Sequence, residues 1–235
     1  MTEREMMMVN AGKKQAALAA VDYVQDNMVV GLGTGSTAKF FIEGLAERVQ
    51  QEDLQNITCV ATSIASDELG RALGLHVVAL DETDGIDITV DGADEVDPQL
   101  NGIKGGGAAL FYEKIVAKAS QKNIWIVDPS KQSPRLGTQF KLPIEVLPFG
   151  SHHVFNYLTD LHLDPHFRVN ADGQYLLTDS ANYIIDVDIS DVSDLKALGD
   201  ELIQHTGIVE HGLFLDICDT LIVGTEPTTI LNRIN

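Results

Sequence analysis

The sequence predicts an α/β protein, a parallel-sheet domain followed by a second, smaller α+β domain. Through residue 127, short continuous apolar runs alternate with segments of helical periodicity. That alternation is the mark of a parallel sheet covered on both faces. Beyond Val127 the order becomes β-α-β-β-α-β, a split βαβ pattern, and an apolar run at 220–224 then returns to the first sheet.

Taken in order, residues 13–25 form a helix, with Ala16, Ala17, Ala20, Val21 and Val24 on one face. Residues 28–32 are a buried strand, 33–37 a turn, and 38–49 a helix carried by Phe41, Leu45 and Val49. A strand at 57–62 precedes a helix at 64–73 that Ser63 caps. Strands at 76–80 and 86–90, a helix at 108–120 and a strand at 124–127 complete the first part. Residues 128–137 are rich in turn formers and read as a connector. The second part has a strand at 142–147, a helix at 151–161, and a hairpin of 167–170 and 174–178 about a turn at 171–173. A strand at 183–189, a helix at 193–204 capped by Ser193, and strands at 208–209 and 213–217 follow. The domain boundaries drawn from this order are 1–136 with 211–235 for the larger part and 137–210 for the smaller.

The chain has 235 residues and a formal net charge of −19. An acidic balance argues against nucleic acid as a partner and against electrostatic docking on anionic membranes. It leaves room for a phosphorylated small molecule held by a few lysines and backbone N–H groups. The two cysteines, Cys59 and Cys218, are far apart in apolar runs and read as buried reduced thiols, as in a cytoplasmic protein. The apolar run at 6–9 is too short for a signal-peptide core, and no stretch is long enough for a membrane span.

Four places carry candidate chemistry. The turn with Gly31, Gly33, Thr34, Gly35, Ser36 and Thr37 joins a strand to a helix, whose unpaired N–H groups suit an oxyanion. It lacks the third glycine of a dinucleotide fingerprint and the lysine of a Walker loop. Lys13 is a candidate to add charge there. A second place is the strand end with Asp91, Gly92, Ala93 and Asp94, where open α/β sheets place ligands. Its four acids in seven residues have no histidine and no EF-hand spacing. Asp91 and Asp94 are suited to sugar hydroxyls, against the alternative of a solvated acidic turn. A third is Lys104, Gly105, Gly106 and Gly107, followed by Glu113. Three successive glycines suggest a backbone that something approaches closely. Glu113 has apolar neighbours at Ala109, Leu110, Val116 and Ala117, whereas Lys114 and Lys118 mark the exposed face. Burial would make such a carboxylate a stronger base. A fourth is Lys131, just beyond a strand. The pairs His152–His153 and His162–His166 read as surface residues, Tyr112 as packing and Trp125 as core.

Together these stretches resemble the ribose-5-phosphate isomerase A family, on Gly31–Thr37, Val90–Glu95, Lys104–Ala117, Asp128–Gln132, Pro143–Pro148 and Gly207–Phe214. The resemblance implies a Rossmann-like parallel-sheet domain with a ferredoxin-like α+β domain. It implies metal-independent, cofactor-free interconversion of D-ribose 5-phosphate and D-ribulose 5-phosphate in the non-oxidative pentose phosphate pathway. By the same resemblance Glu113 is the base and Lys104 with Gly105–Gly107 supply donors to the developing oxyanion. Asp91 and Asp94 hold hydroxyls, Asp91 assists ring opening, Thr34–Thr37 with Lys13 hold phosphate, and Lys131 adds a contact. A cytoplasmic homodimer, or a tetramer, is the family expectation. An amino-sugar-phosphate deaminase and a sugar-phosphate-sensing regulator are the alternatives; the latter usually carries a DNA-binding segment, for which the dozen residues before Lys13 are too few. Phe111 and Tyr112 depart from the commonest family wording.

Overall fold

The computed structural model describes residues 3–233. The chain forms two compact units. One comprises Met1–Ala93, Tyr112–Lys131 and Asp216–Asn235, the other Asp94–Phe111 and Gln132–Leu215. The segment 94–111 therefore groups with the smaller sheet, whereas the sequence reading kept it with the larger. In chain order, the first unit contains α1 (Glu3–Val21), β1 (Val29–Leu32), α2 (Ser36–Gln50), β2 (Thr58–Ala61), α3 (Ile64–Ala72), β3 (His76–Val78) and β4 (Ile86–Asp91). β5 (Glu95–Val96) and β6 (Gly102–Ile103) lie in the second unit; α4 (Leu110–Lys118) leads back to the first, which continues in β7 (Ser120–Val127). The second unit resumes with β8 (Leu142–Val146), α5 (Ser151–Asp160), β9 (His166–Phe167), β10 (Tyr183–Val187), α6 (Leu195–Leu202), β11 (Ile208–His211) and β12 (Leu213–Phe214). β13 (Thr220–Val223) and β14 (Thr229–Asn232) close the first.

The first unit is built on a seven-stranded sheet in the order β14-β13-β7-β4-β1-β2-β3. All neighbours are parallel except β13 and β14. Its six parallel strands have the doubly wound order, which reverses between β1 and β4 and opens a crevice at their carboxyl ends. Ala16, Ala17, Ala20 and Val21 of α1 and Phe41, Ile42 and Leu45 of α2 pack in one cluster with Val30, Val90, Ile124 and Ile222 of the sheet. This is the α1 face read from the sequence. The helix itself begins ten residues before the predicted start. Residues 3–12 lack an apolar stripe, yet their Glu and Met are good helix formers. It ends at Val21 because the amides of Tyr23 and Val24 bond back to Ala20 and Val21, tightening the last turn. Ser63 caps α3 as expected, its Oγ accepting from Ser66 N at 3.1 Å.

The second unit holds a four-stranded antiparallel sheet in the order β11-β8-β10-β9. With α5 and α6 between the strands, this is the ferredoxin-like split βαβ arrangement. Three details differ from the sequence reading. Residues 174–178 form no strand; Val169–Tyr175 and Leu177–Tyr183 make isolated bridges, and Phe167 stacks on Tyr175 at 4.4 Å. Asp194, one residue later than predicted, caps α6 by accepting from Ala197 N at 2.9 Å. A three-stranded sheet, β12-β6-β5, takes up the first two residues of the strand expected at 213–217; β5 and β6 were not foreseen, since two-residue strands carry no periodicity. β14 was missed as well: its four residues are all exposed and bury no alternating face.

Glu145, on β8, is 1% exposed and accepts from Thr178 Oγ1 and Asn182 Nδ2, each at 2.9 Å. Desolvation raises its pKa against those two lowering contacts. A group whose folded pKa is raised contributes stability at acid pH and loses it as pH climbs through the folded value. Glu145→Gln keeps the acceptor without the charge. In urea unfolding it is expected to match or exceed the wild type at pH 7, with the difference vanishing near pH 4. A variant weaker than wild type at pH 7 would show that the charge itself is stabilising.

Candidate active site

At the crevice, β1 and β4 run side by side with Gly31 opposite Thr89. A Cβ on Gly31 would lie 1.9 Å from Thr89 Oγ1, and one on Gly33 would lie 2.3 Å from Asp91 Oδ1 and 2.5 Å from Asp91 Cα. Only glycine permits this approach. It lets Gly33 N donate to Val90 O at 3.0 Å and Thr34 N to Asp91 Oδ1 at 2.9 Å. Asp91 is 4% exposed and also accepts from Gly92 N at 2.7 Å, so one carboxylate fixes the loops after both strands.

The chain then turns through Gly35 at φ +100° into α2, two residues earlier than predicted. Gly35 offers no capping side chain, and the first helical bond runs from Lys39 N to Gly35 O at 3.0 Å. The amides of Ser36, Thr37 and Ala38 therefore precede the helical ladder, at the positive end of the helix dipole. Lys13 Nζ donates to Ser36 Oγ at 3.0 Å. What brings α1 so near is backbone contact: a Cβ on Gly224 would sit 1.8 Å from Gly12 O. The Thr34 hydroxyl is turned the other way. It lies 2.7 Å from Thr62 Oγ1 and 2.8 Å from Ser63 Oγ, while Ser66 Oγ donates to Gly33 O at 2.6 Å. This buried hydroxyl cluster was missed, because its members are about thirty positions apart.

Glu113 projects from α4 and is 5% exposed, with Val116 and Ala117 buried beside it. Lys114 is buried too, at 4%, contrary to its expected place on the outer face; Tyr112, Ile115 and Lys118 are the exposed residues there. Lys131 ends a short 3₁₀ turn, 129–131, past the carboxyl end of β7, with its side chain half-buried. That turn is held by Asp128, which accepts from Ser130 N at 3.0 Å.

In the second unit, Gly106 N donates to Asp94 Oδ2 at 2.7 Å, and a Cβ on Gly106 would lie 2.6 Å from Asp94 Oδ1. Gly105 has φ +111°, and a Cβ there would meet Leu110 Cδ2 at 2.7 Å. Lys104 is 3% exposed; its ammonium lies 5.5 Å from the Phe214 ring centroid, and its N–H donates to Gly212 O at 2.9 Å. Glu95 is fully buried and accepts from the backbone N–H groups of Gly137, Thr138, Gln139 and Phe140 at 2.8–3.3 Å. Asp97 Oδ1 accepts from Gln99 N and Asn101 N, both at 2.9 Å. The acidic run is thus a series of backbone clamps rather than a solvated turn. Sequence reasoning had no signal for Glu95's role.

The structure thus groups Lys13, the 33–37 turn, Asp91 and Gly92 on the first unit, which also carries Glu113 and Lys131. It groups Asp94 with Lys104–Gly107 on the second. Both thiols are buried, and desolvation lifts each to a pKa of about 12. The four candidate surface histidines are exposed, and Trp125 is core, at 1%. No described helix is long and apolar enough to cross a membrane.

Residues 58–228 match the sequence family described as Ribose 5-phosphate isomerase A (phosphoriboisomerase A). The chain belongs to the ribose 5-phosphate isomerase A family. It is 48% identical over 222 residues to a ribose-5-phosphate isomerase A of Lactococcus lactis, covering 94% of this chain and 98% of that one. It is also 48% identical over 221 residues to a bifunctional ribokinase/ribose-5-phosphate isomerase A of Fructilactobacillus sanfranciscensis. There the match covers 94% of this chain but 41% of the relative. A solved D-ribose-5-phosphate isomerase in complex with phospho-erythronic acid superposes with a TM-score of 0.93 at 37% identity, covering 96% of this chain and 99% of that one. The Plasmodium falciparum enzyme superposes with a TM-score of 0.92 at 35% identity, covering 96% and 100%. The family assignment agrees with the two-part α/β architecture described above.

Gly33→Ala and Gly35→Ala separate space from conformation. Gly33→Ala meets backbone and is expected to cost about 3 kcal/mol or more; Gly35→Ala meets nothing within 4 Å and costs only its dihedral strain, about 1–3 kcal/mol. Chemical denaturation ranks them, and the reverse order would contradict the close β1–β4 approach.

Proposed function

We propose that this chain interconverts D-ribose 5-phosphate and D-ribulose 5-phosphate by proton transfer through an enediol. The observation that carries the reading is a buried carboxylate, Glu113 of α4, the residue to which the sequence resemblance assigns the base. Glu113 takes the proton from C2 of the open-chain aldose as O1 gains one to form the enediol; the O2 hydroxyl then gives up its proton as Glu113 returns its own to C1, giving the ketose. Positioned acid–base catalysis of this kind contributes on the order of 10²–10⁴-fold. Charge gathers on oxygen as the C2 proton leaves, and preorganised donors stabilise it. Lys104 and the N–H groups of Gly105 and Gly107 are assigned that part, the Gly106 N–H being taken by Asp94. Asp91 and Asp94, with Gly92 and Ala93, hold hydroxyls, and Asp91 assists ring opening.

Phosphate is assigned to the amides at the start of α2, the Ser36 and Thr37 hydroxyls and Lys13. Gly35 contributes its backbone N–H, Thr34 shapes the turn through its N–H to Asp91, and Lys131 adds a further contact. The reading routes no step through a metal or cofactor. It includes a cytoplasmic homodimer: the buried thiols suit a reducing compartment, and Ile64, Tyr112 and Ile115 expose apolar surface that a second copy would cover.

NMR with D-ribose 5-phosphate in D2O containing EDTA tests the reaction. Ribulose 5-phosphate with deuterium at C1 is expected; absence of ketose would sink the assignment. Glu113→Gln is expected to lower kcat by about 10³-fold or more with little change in substrate affinity, and near-normal kcat would remove Glu113 from its role. Thr37→Ala is expected mainly to raise KM, because phosphate binding acts alike on ground and transition states. A pure kcat loss would contradict the phosphate assignment.

A further inference from the structure

Arg168 follows β9, and neither composition nor periodicity drew attention to it. Its guanidinium is used on two sides. Nε and Nη2 meet the Asp186 carboxylate of β10 at 2.9 and 2.5 Å, a bidentate pair with both side chains largely buried, at 16% and 21% exposure. Nη1 donates to two loop carbonyls, Gly105 O at 2.7 Å and Gly106 O at 3.1 Å. All these residues lie in the second unit.

We infer that Arg168 is a positioning residue that aims the N–H groups of the 104–107 loop. The argument is one of peptide geometry. In a trans peptide the C=O and the following N–H point in opposite directions. Drawing the Gly105 and Gly106 carbonyls onto one guanidinium therefore turns the N–H groups of Gly106 and Gly107 away from it. The Gly106 N–H reaches Asp94 on that side, at 2.7 Å. Glycines can adopt many other conformations, so without this anchor the loop's dipoles would be free to reorient. The cation also polarises both peptides, which strengthens their N–H groups as donors. Asp186 holds the guanidinium plane and balances its charge, a geometry that a lysine ammonium lacks.

The inference rests on the loop serving the isomerase reaction, so two independent readouts are needed. Kinetics come first, on Arg168→Lys and Arg168→Ala with D-ribose 5-phosphate. We expect kcat to fall about ten- to a hundredfold in both, with KM within about twofold, as for a small displacement of a donor. Millimolar guanidinium ion restores kcat of Arg168→Ala saturably, and sodium chloride does not. Wild-type kcat in Arg168→Lys, a change confined to KM, or a deficit in Arg168→Ala untouched by guanidinium each overturns the inference. If Arg168→Ala does not fold, Arg168→Lys decides. The second readout needs no turnover: NMR hydrogen exchange of the Gly106 amide is at least about tenfold faster in Arg168→Lys, and unchanged exchange overturns the inference. An inactive wild type would sink the isomerase reading alone, with the exchange experiment still deciding whether Arg168 holds the loop.

Discussion

The carboxyl edge of the large sheet depends on how closely β1 and β4 approach at the point where strand order reverses. Gly31 and Gly33 lie against Thr89 and Asp91 with no room for a methyl group. That contact puts the Asp91 carboxylate within reach of Thr34 N as well as Gly92 N. One buried charge thereby sets two loops at once. The orientation of the α2 start follows from the same packing. A hydrogen bond to a charged acceptor in such a setting contributes about 1.5–3 kcal/mol, enough to hold a short loop in one conformation.

A chain with a net charge of −19 repels anions at long range. The structure shows where much of that charge goes. Asp87 accepts from Val29 N at 2.7 Å, Asp219 from Asn123 N at 2.7 Å, and Asp91, Asp94, Glu95, Asp97 and Asp128 each accept from backbone amides. Carboxylates bound to peptide N–H groups act as internal loop ties, with their field partly offset by those dipoles. The amides left at the start of α2, with Lys13, then make a local positive spot in an acidic protein.

Much of this was legible in the sequence, for reasons that differ by element. The buried face of α1, the parallel strands and the buried position of Glu113 follow from apolar spacing, which one residue's neighbours suffice to reveal. The glycine turns were legible as places of close approach, though not what approached them: Thr89, Asp91 and Asp94 are distant in sequence or face inward only after folding. The Thr34 hydroxyl cluster, the Glu95 clamp and the Arg168 fork were illegible because each is a long-range polar contact with no periodic signature. β5 and β6 are too short, and β14 too exposed, to leave a pattern. Lys114 shows the converse error, a charged residue assigned outward by type and buried by the fold.

The position of β13 in the large sheet has a consequence for biosynthesis. It lies beside β7, and the contact of Asn123 with Asp219 closes 96 positions of chain. The whole second sheet is made in that interval. Until β13 emerges, β7 is an open edge of apolar residues, with Ile124, Trp125, Ile126 and Val127 all bound for the core. An unpaired edge of this kind can pair with other chains. For this protein the hazard of aggregation is therefore concentrated in the nascent chain, in the interval between ribosomal release of Val127 and arrival of Val223.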